Sequence, residues 1–130
     1  MKIAITSSGK DLNSTVDPRF GRCSYFIIVD ADSMEFKSVD NPAVTASGGA
    51  GIQAAQMIAD EGVEAVITGN VGPNAIRTLS IAGIEVYSGA RGTIEDTIKL
   101  FKEGELTKAD SATVNSHAGI SERDNTRRRW

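Results

Sequence analysis

The chain has 130 residues, 40% of them hydrophobic and 24% charged, with a formal net charge of −3. That size suits one globular domain with a single core, and the near-balanced charge lacks the global basic field that nucleic-acid binding usually needs. No apolar run approaches the roughly 20 residues of a membrane-spanning helix, and one cysteine, Cys23, with one histidine, His117, can form neither an internal disulfide nor a four-ligand Cys/His zinc site.

The first residues, Met1 to Ile5, enter a strand-like pattern with no signal-peptide apolar region, so a cytoplasmic location is expected. Lys2 to Thr6 reads as a buried strand and Ser24 to Asp30 as a second, rich in β-branched and aromatic residues. A polar turn at Ala31 to Met34 leads into a third, Glu35 to Asp40. From Gly49 the period becomes helical through Ile52, Ala55, Ile58 and Ala59, with Gly62 placed to end the helix. A short strand, Glu64 to Thr68, follows. The unit repeats: Pro73 starts a helix with Ala75, Ile76, Leu79 and Ala82 on one face, Gly83 stops it, and Ile84 to Tyr87 forms a fifth strand. A third helix begins near Thr93, whose hydroxyl can cap it with Asp96, and runs to about Lys102. Beyond about residue 106 the pattern dissolves into Ser, Thr, Asp and Asn and ends in Arg127 to Trp130. The reading is therefore a domain over 1–105 and a flexible tail over 106–130.

Local right-handed crossovers make strands one, four and five parallel, with strand two opposed and strand three returning beside it. The long glycine-containing loops 7–23, 41–51, 69–72 and 88–92 then share one rim, and tight turns occupy the other. Ligands of open α/β sheets bind at the carboxyl ends of parallel strands, so a crevice is expected between strands one and four. All three helices are expected to start there, with unpaired N–H groups and positive dipole ends favouring an anion.

Within that rim, Arg19 and Arg22 offer forked donors to a polyanion, Phe20 can wall a pocket, and Gly21 lets backbone approach closely. The competing reading makes Asp17 and Arg19 a surface pair and Phe20 a core residue. Gly49 and Gly51 precede a helix. Gly49 to Ala54 matches G-x-G-x-x-A only formally, because a long loop stands where the dinucleotide fingerprint needs a strand; a general anion nest fits better. Gly69, Asn70 and Gly72 either turn amides toward a ligand or form an economical turn. Cys23 is either an inert buried thiol or the single thiolate contact to a metal. His117 reads as a surface histidine and the terminal arginines as solubilising. No acid/base pair is spaced for catalysis, so no enzyme constellation is expected.

Three segments taken in order, Val16-Asp17-Pro18-Arg19-Phe20-Gly21-Arg22, Gly48-Gly49-Ala50-Gly51 and Thr68-Gly69-Asn70-Val71-Gly72-Pro73-Asn74-Ala75, give a sequence that resembles the dinitrogenase iron-molybdenum cofactor biosynthesis family, the NifX/NifB-type accessory domain, over about residues 1 to 105. The resemblance implies a three-layer α/β/α fold of ribonuclease H-like motif, with a five-stranded mixed sheet of order 3-2-1-4-5 and strand two antiparallel. It also implies non-enzymatic binding, carriage or delivery of an iron- or molybdenum-containing metal-sulfide cluster, with cluster-donor or cluster-acceptor proteins as partners and neither nucleic acid nor membrane. Many relatives have His where this chain has Arg19. Arginine stays cationic and is a poor metal ligand, which favours electrostatic capture of a preformed cluster. Two other functions remain open: a protein or enzyme that uses a nucleotide or phosphorylated metabolite, and a regulatory or assembly module that binds only protein.

Overall fold

Alternating apolar side chains along the strands can fill two separate half-cores, one on each face of a sheet. The computed structural model, which describes residues 1–45 and 48–109, arranges them so. Its strands are β1 (Lys2–Ser7), β2 (Tyr25–Asp30), β3 (Phe36–Asp40), β4 (Ala65–Ile67), β5 (Glu85–Ser88) and β6 (Thr107–Lys108); its helices are α1 (Ala50–Asp60), α2 (Pro73–Ile81) and α3 (Ile94–Lys102). Ala4, Phe26, Ile28, Val66 and Val86 face α1 and α2. Their strand neighbours Ile3, Ile5, Ile27, Val29 and Ile67 face Ile94 and Ile98 of α3. The result is helix, sheet, helix, in three layers.

The sheet has six strands in the order β3-β2-β1-β4-β5-β6. β1 pairs antiparallel to β2 and parallel to β4, β2 antiparallel to β3, and β4 parallel to β5, which agrees with the order and directions read from the sequence. The strand count corrects the expected five. β6 pairs antiparallel with β5 through Tyr87 with Lys108 and Ser88 with Thr107, and the Ala109 N–H continues the contact by donating to the Val86 carbonyl at 2.7 Å. Two exposed edge residues carry no readable alternation. Their direction comes from the turn at Gly104, with φ 73°, that reverses the chain after α3. His117 and the residues after 109 lie outside the described residues.

The helix ends follow their local chemistry. Thr93 Oγ1 accepts from the Asp96 N–H at 3.1 Å, the expected cap of α3. α1 and α2 instead start at Gly49 and Gly72, with no side-chain cap. Among the described residues no helix is long and apolar enough to cross a membrane.

Gly69 is the tightest point of the framework, since a Cβ there would sit 2.7 Å from Pro18 Cα and 3.0 Å from the Pro18 carbonyl oxygen. Both obstacles are backbone or ring atoms that cannot rotate away. Gly69→Ala should therefore lower unfolding stability by about 1–3 kcal/mol, as overpacking of a closed site does; thermal melting reads it, and an unchanged midpoint would contradict this packing.

Candidate functional site

Residues 8–24 form a strap over the carboxyl ends of the central strands. Its first half lies on the α3 face, where the Ser14 and Leu12 carbonyls accept the N–H groups of Ile94 and Glu95 at 2.9 and 3.0 Å. The chain then crosses the end of β1. The Asp17 N–H donates to the Thr6 carbonyl at 3.0 Å, and Thr6 Oγ1 donates back to the Asp17 carbonyl at 2.7 Å. Thr6 and Thr68 are fully buried, with hydroxyl oxygens 3.0 Å apart, so Thr68 is a structural tie between β1 and the end of β4.

On the α1/α2 face the strap is bonded to the turn after β4. The Asn70 N–H donates to the Pro18 carbonyl at 2.8 Å and the Phe20 N–H to the Asn70 carbonyl at 3.3 Å. Gly21 packs against the first turn of α1, where an added Cβ would stand 2.9 Å from Gly51 N. Asn41 pins the rear of the strap, its Nδ2 donating to the Gly21 carbonyl at 3.1 Å and the Cys23 carbonyl at 2.9 Å.

These contacts enclose a cavity of about 380 Å³. Arg19, Phe20, Gly21 and Arg22 line one side. Gly49 and Gly51, with Ala50 and Ile52 between and beside them, line the second. Asn70 and Gly72, followed by the start of α2 from Pro73 to Ala75, line the third. The structure thus gathers eight of the nine expected rim residues around one hollow. Gly69, the ninth, lies buried behind it against Pro18.

The uncapped N-termini of α1 and α2 both open here, and helix starts leave N–H donors and a positive dipole end. α3 departs from expectation: it begins on the opposite face, with its first amides taken by Leu12, Ser14 and Thr93. Ala50, Ile52, Pro73, Asn74 and Ala75 line the cavity as well, each in a first helical turn whose start was readable.

Arg19 is paired with Asp17 and also lines the cavity. Nε and Nη2 donate to Asp17 Oδ1 and Oδ2 at 3.2 and 3.3 Å, and the backbone N–H donates to Oδ1 at 3.0 Å. The Asp17 side chain is 6% exposed and that of Arg19 65%, so a buried carboxylate holds an exposed cation at the cavity lip. Those hydrogen bonds and the opposite charge raise the Arg19 pKa further above its usual value. Phe20 is both core and wall: it is 2% exposed, and its ring meets Phe26 edge-on at 5.5 Å.

Cys23 does not line this cavity. It is fully buried in the α1/α2 half-core, its Sγ donates to the Phe20 carbonyl at 3.4 Å, and burial pushes the thiol up to about 12, with the Asp17 charge adding to the rise. Among the described residues no group of three or more His, Cys, Asp or Glu side chains is placed to hold a metal ion. The cavity offers an anion hydrogen bonds, positive charge and an apolar wall.

Residues 1–104 match the family described as dinitrogenase iron-molybdenum cofactor. The chain belongs to that family. A Methanocaldococcus jannaschii protein is 39% identical over 111 residues, covering 83% of this chain and 91% of its own. The apo form of the orange protein from Desulfovibrio gigas superposes with a TM-score of 0.84 at 41% identity, over 86% of this chain and 95% of that one. A Thermotoga protein described as a candidate NifB protein gives a TM-score of 0.72 at 43% identity, over 82% and 91%. Family membership covers the strap and both uncapped helix starts in one continuous match.

The buried thiol gives a direct check. At pH 8 the folded protein should hold about a thousandfold less Cys23 thiolate than the unfolded chain, so iodoacetamide should label it only after denaturation; rapid native labelling would contradict the placement. Stability linkage has a definite sign. Between the ordinary 9.0 and about 12, the unfolded chain releases this proton and the folded chain keeps it, so stability falls as pH rises. Cys23→Ala should make that fall shallower.

Proposed function

We propose that the protein is a cytoplasmic, non-enzymatic carrier that binds an anionic iron- or molybdenum-containing metal-sulfide cluster in this cavity and passes it between donor and acceptor proteins. The observation behind this reading is the composition of the cavity wall. Two guanidinium side chains and two uncapped helix starts adjoin Phe20, Ile52 and Ala75, with no carboxylate, thiolate or imidazole among the described residues of the lining. Such a wall suits a guest that arrives with its own sulfide ligands and needs none from the protein. Sulfide surfaces are soft and weakly hydrated, so an apolar wall costs them less desolvation than it costs a phosphate. Family membership supports the same class of guest.

In this reading Arg19 and Arg22 supply charge and forked N–H donors, and the amides at the starts of α1 and α2 receive the opposite side of the guest. Phe20 shapes the wall, and Gly21, Gly49, Gly51 and Gly72 leave the backbone open. Gly69 acts indirectly by letting Pro18 and the strap approach. Cys23 stays a thiol and takes no part in ligation. The sheet order with β2 antiparallel supports assigning the ribonuclease H-like motif, and the accessory domain, read from the sequence as residues 1–105, extends through β6 to Ala109.

Anaerobic mixing with tetrathiomolybdate, a sulfide-only dianion, tests the proposal by gel filtration and the absorption of protein-bound probe. Retention is expected to survive chelators. It should fall as ionic strength rises from about 0.1 M to about 1 M, where screening shortens from about 10 Å to about 3 Å. The double variant Arg19→Glu/Arg22→Glu should lose retention while staying folded, with a lowered melting temperature because the buried Asp17 carboxylate loses its counterion. No retention by the intact protein, or full retention by the double variant, would overturn the assignment. Millimolar ATP or sugar phosphate that binds in place of the probe would favour the phosphorylated-ligand reading.

A further inference from the structure

We infer that Asp17 is a positioning residue for the anion site: its buried carboxylate orients the Arg19 guanidinium so that the remaining N–H edge meets the guest. This rests on the proposed function and deepens it. Asp17 is an unlikely neighbour for an anion on charge alone, since it brings a negative group close to the lip. Its geometry gives that group a task. The backbone on either side is fixed by bonds to Thr6, and Oδ1 is held by the Arg19 N–H at 3.0 Å, so the carboxylate cannot swing. It binds Nε and Nη2 at 3.2 and 3.3 Å, the two-point contact that only a planar fork can make. The Nη1 edge is left for a guest. A long side chain that is 65% exposed would otherwise lose rotamer freedom on binding. Asp17 arranges that ordering in advance.

Coulomb attraction and positioning predict opposite results for Asp17→Asn. The amide oxygen can still accept from the Arg19 backbone, but its NH2 group faces Nη2, donor against donor. If Asp17 acted only as a charge, removing it would tighten anion binding. Positioning predicts weaker binding, by about tenfold, the usual size of a lost hydrogen bond to a charged group.

The experiment measures tetrathiomolybdate affinity for the intact chain, Asp17→Asn, Arg19→Lys and the double variant, with thermal melting of each. Arg19→Lys keeps the charge and loses the fork, so it should weaken binding by a similar factor. Asp17→Asn should then add nothing in the Arg19→Lys background. A purely structural role for Asp17 would instead weaken binding equally in both backgrounds, and that result overturns the inference. So does tighter or unchanged binding in Asp17→Asn. Should Asp17→Asn fail to fold, Arg19→Lys decides: unchanged affinity there removes any need for the fork and sinks the idea. An intact protein that binds no probe overturns the proposed function and this inference together, whereas an intact protein that binds and an indifferent Asp17→Asn overturn the inference alone.

Discussion

The site depends on the crossing of the strap over the ends of β1 and β4. Asp17 is tied to Thr6, Pro18 and Phe20 to Asn70, and Gly21 to the first turn of α1 by close packing. The hydrogen bonds among these contacts satisfy backbone groups of the crossing segments. Together they bring segments fifty residues apart in sequence into one wall. The missing side chain at Gly69 permits the approach, and the buried Thr6 and Thr68 hydroxyls close the space beneath it. Arg19 and the two helix starts have a common centre because this crossing holds.

The electrostatics of the cavity follow from what the crossing leaves exposed. Guanidinium side chains and two helix N-termini of about half a charge each gather at this hollow on a chain whose overall formal charge is −3. The Asp17 carboxylate moderates that concentration of positive charge beside Arg19. A countercharge that also orients one cation reduces repulsion and disorder together.

Elements with long-range periodicity were legible in the sequence. Short buried runs rich in apolar, β-branched and aromatic residues gave β1 and β2, the Ala/Ile spacing gave α1 and α2, and Thr93 with Asp96 marked the start of α3. β6 was not legible, because two exposed edge residues have no pattern and owe their place to the chain reversal after α3. Strand direction brought the loops to one rim, but it left undecided which helices face the same side of it. The answer lies in the path of the strap. Residues 12–14 occupy the start of α3 and residues 19–22 sit beside α1 and α2, a division set by tertiary hydrogen bonds. Arg19 offered two competing readings, ion pair and ligand-facing cation; the structure shows the ion pair with Asp17 and places the same side chain in the cavity lining. Asn41 escaped notice because nothing in an isolated asparagine announces which carbonyls it will meet.

The proposed carriage would impose a demand that resident cofactors do not: the guest must leave intact. A protein thiolate or imidazole bound to a cluster metal would have to be exchanged during transfer, with a barrier set by that bond. Hydrogen bonds, charge and an apolar wall impose no such step, and their combined hold weakens as soon as a competing surface supplies real ligands. The burial of Cys23 fits this logic. Its thiol stands behind Phe20, kept protonated by burial, where it completes the core that supports the wall. A wall shaped by packed side chains can still select by size and charge, so a site without metal ligands need not be unselective. In the proposed role, selection would fall to the spacing of the strap from the helix starts, and at α1 that spacing is set by the close approach of Gly21 to Gly51.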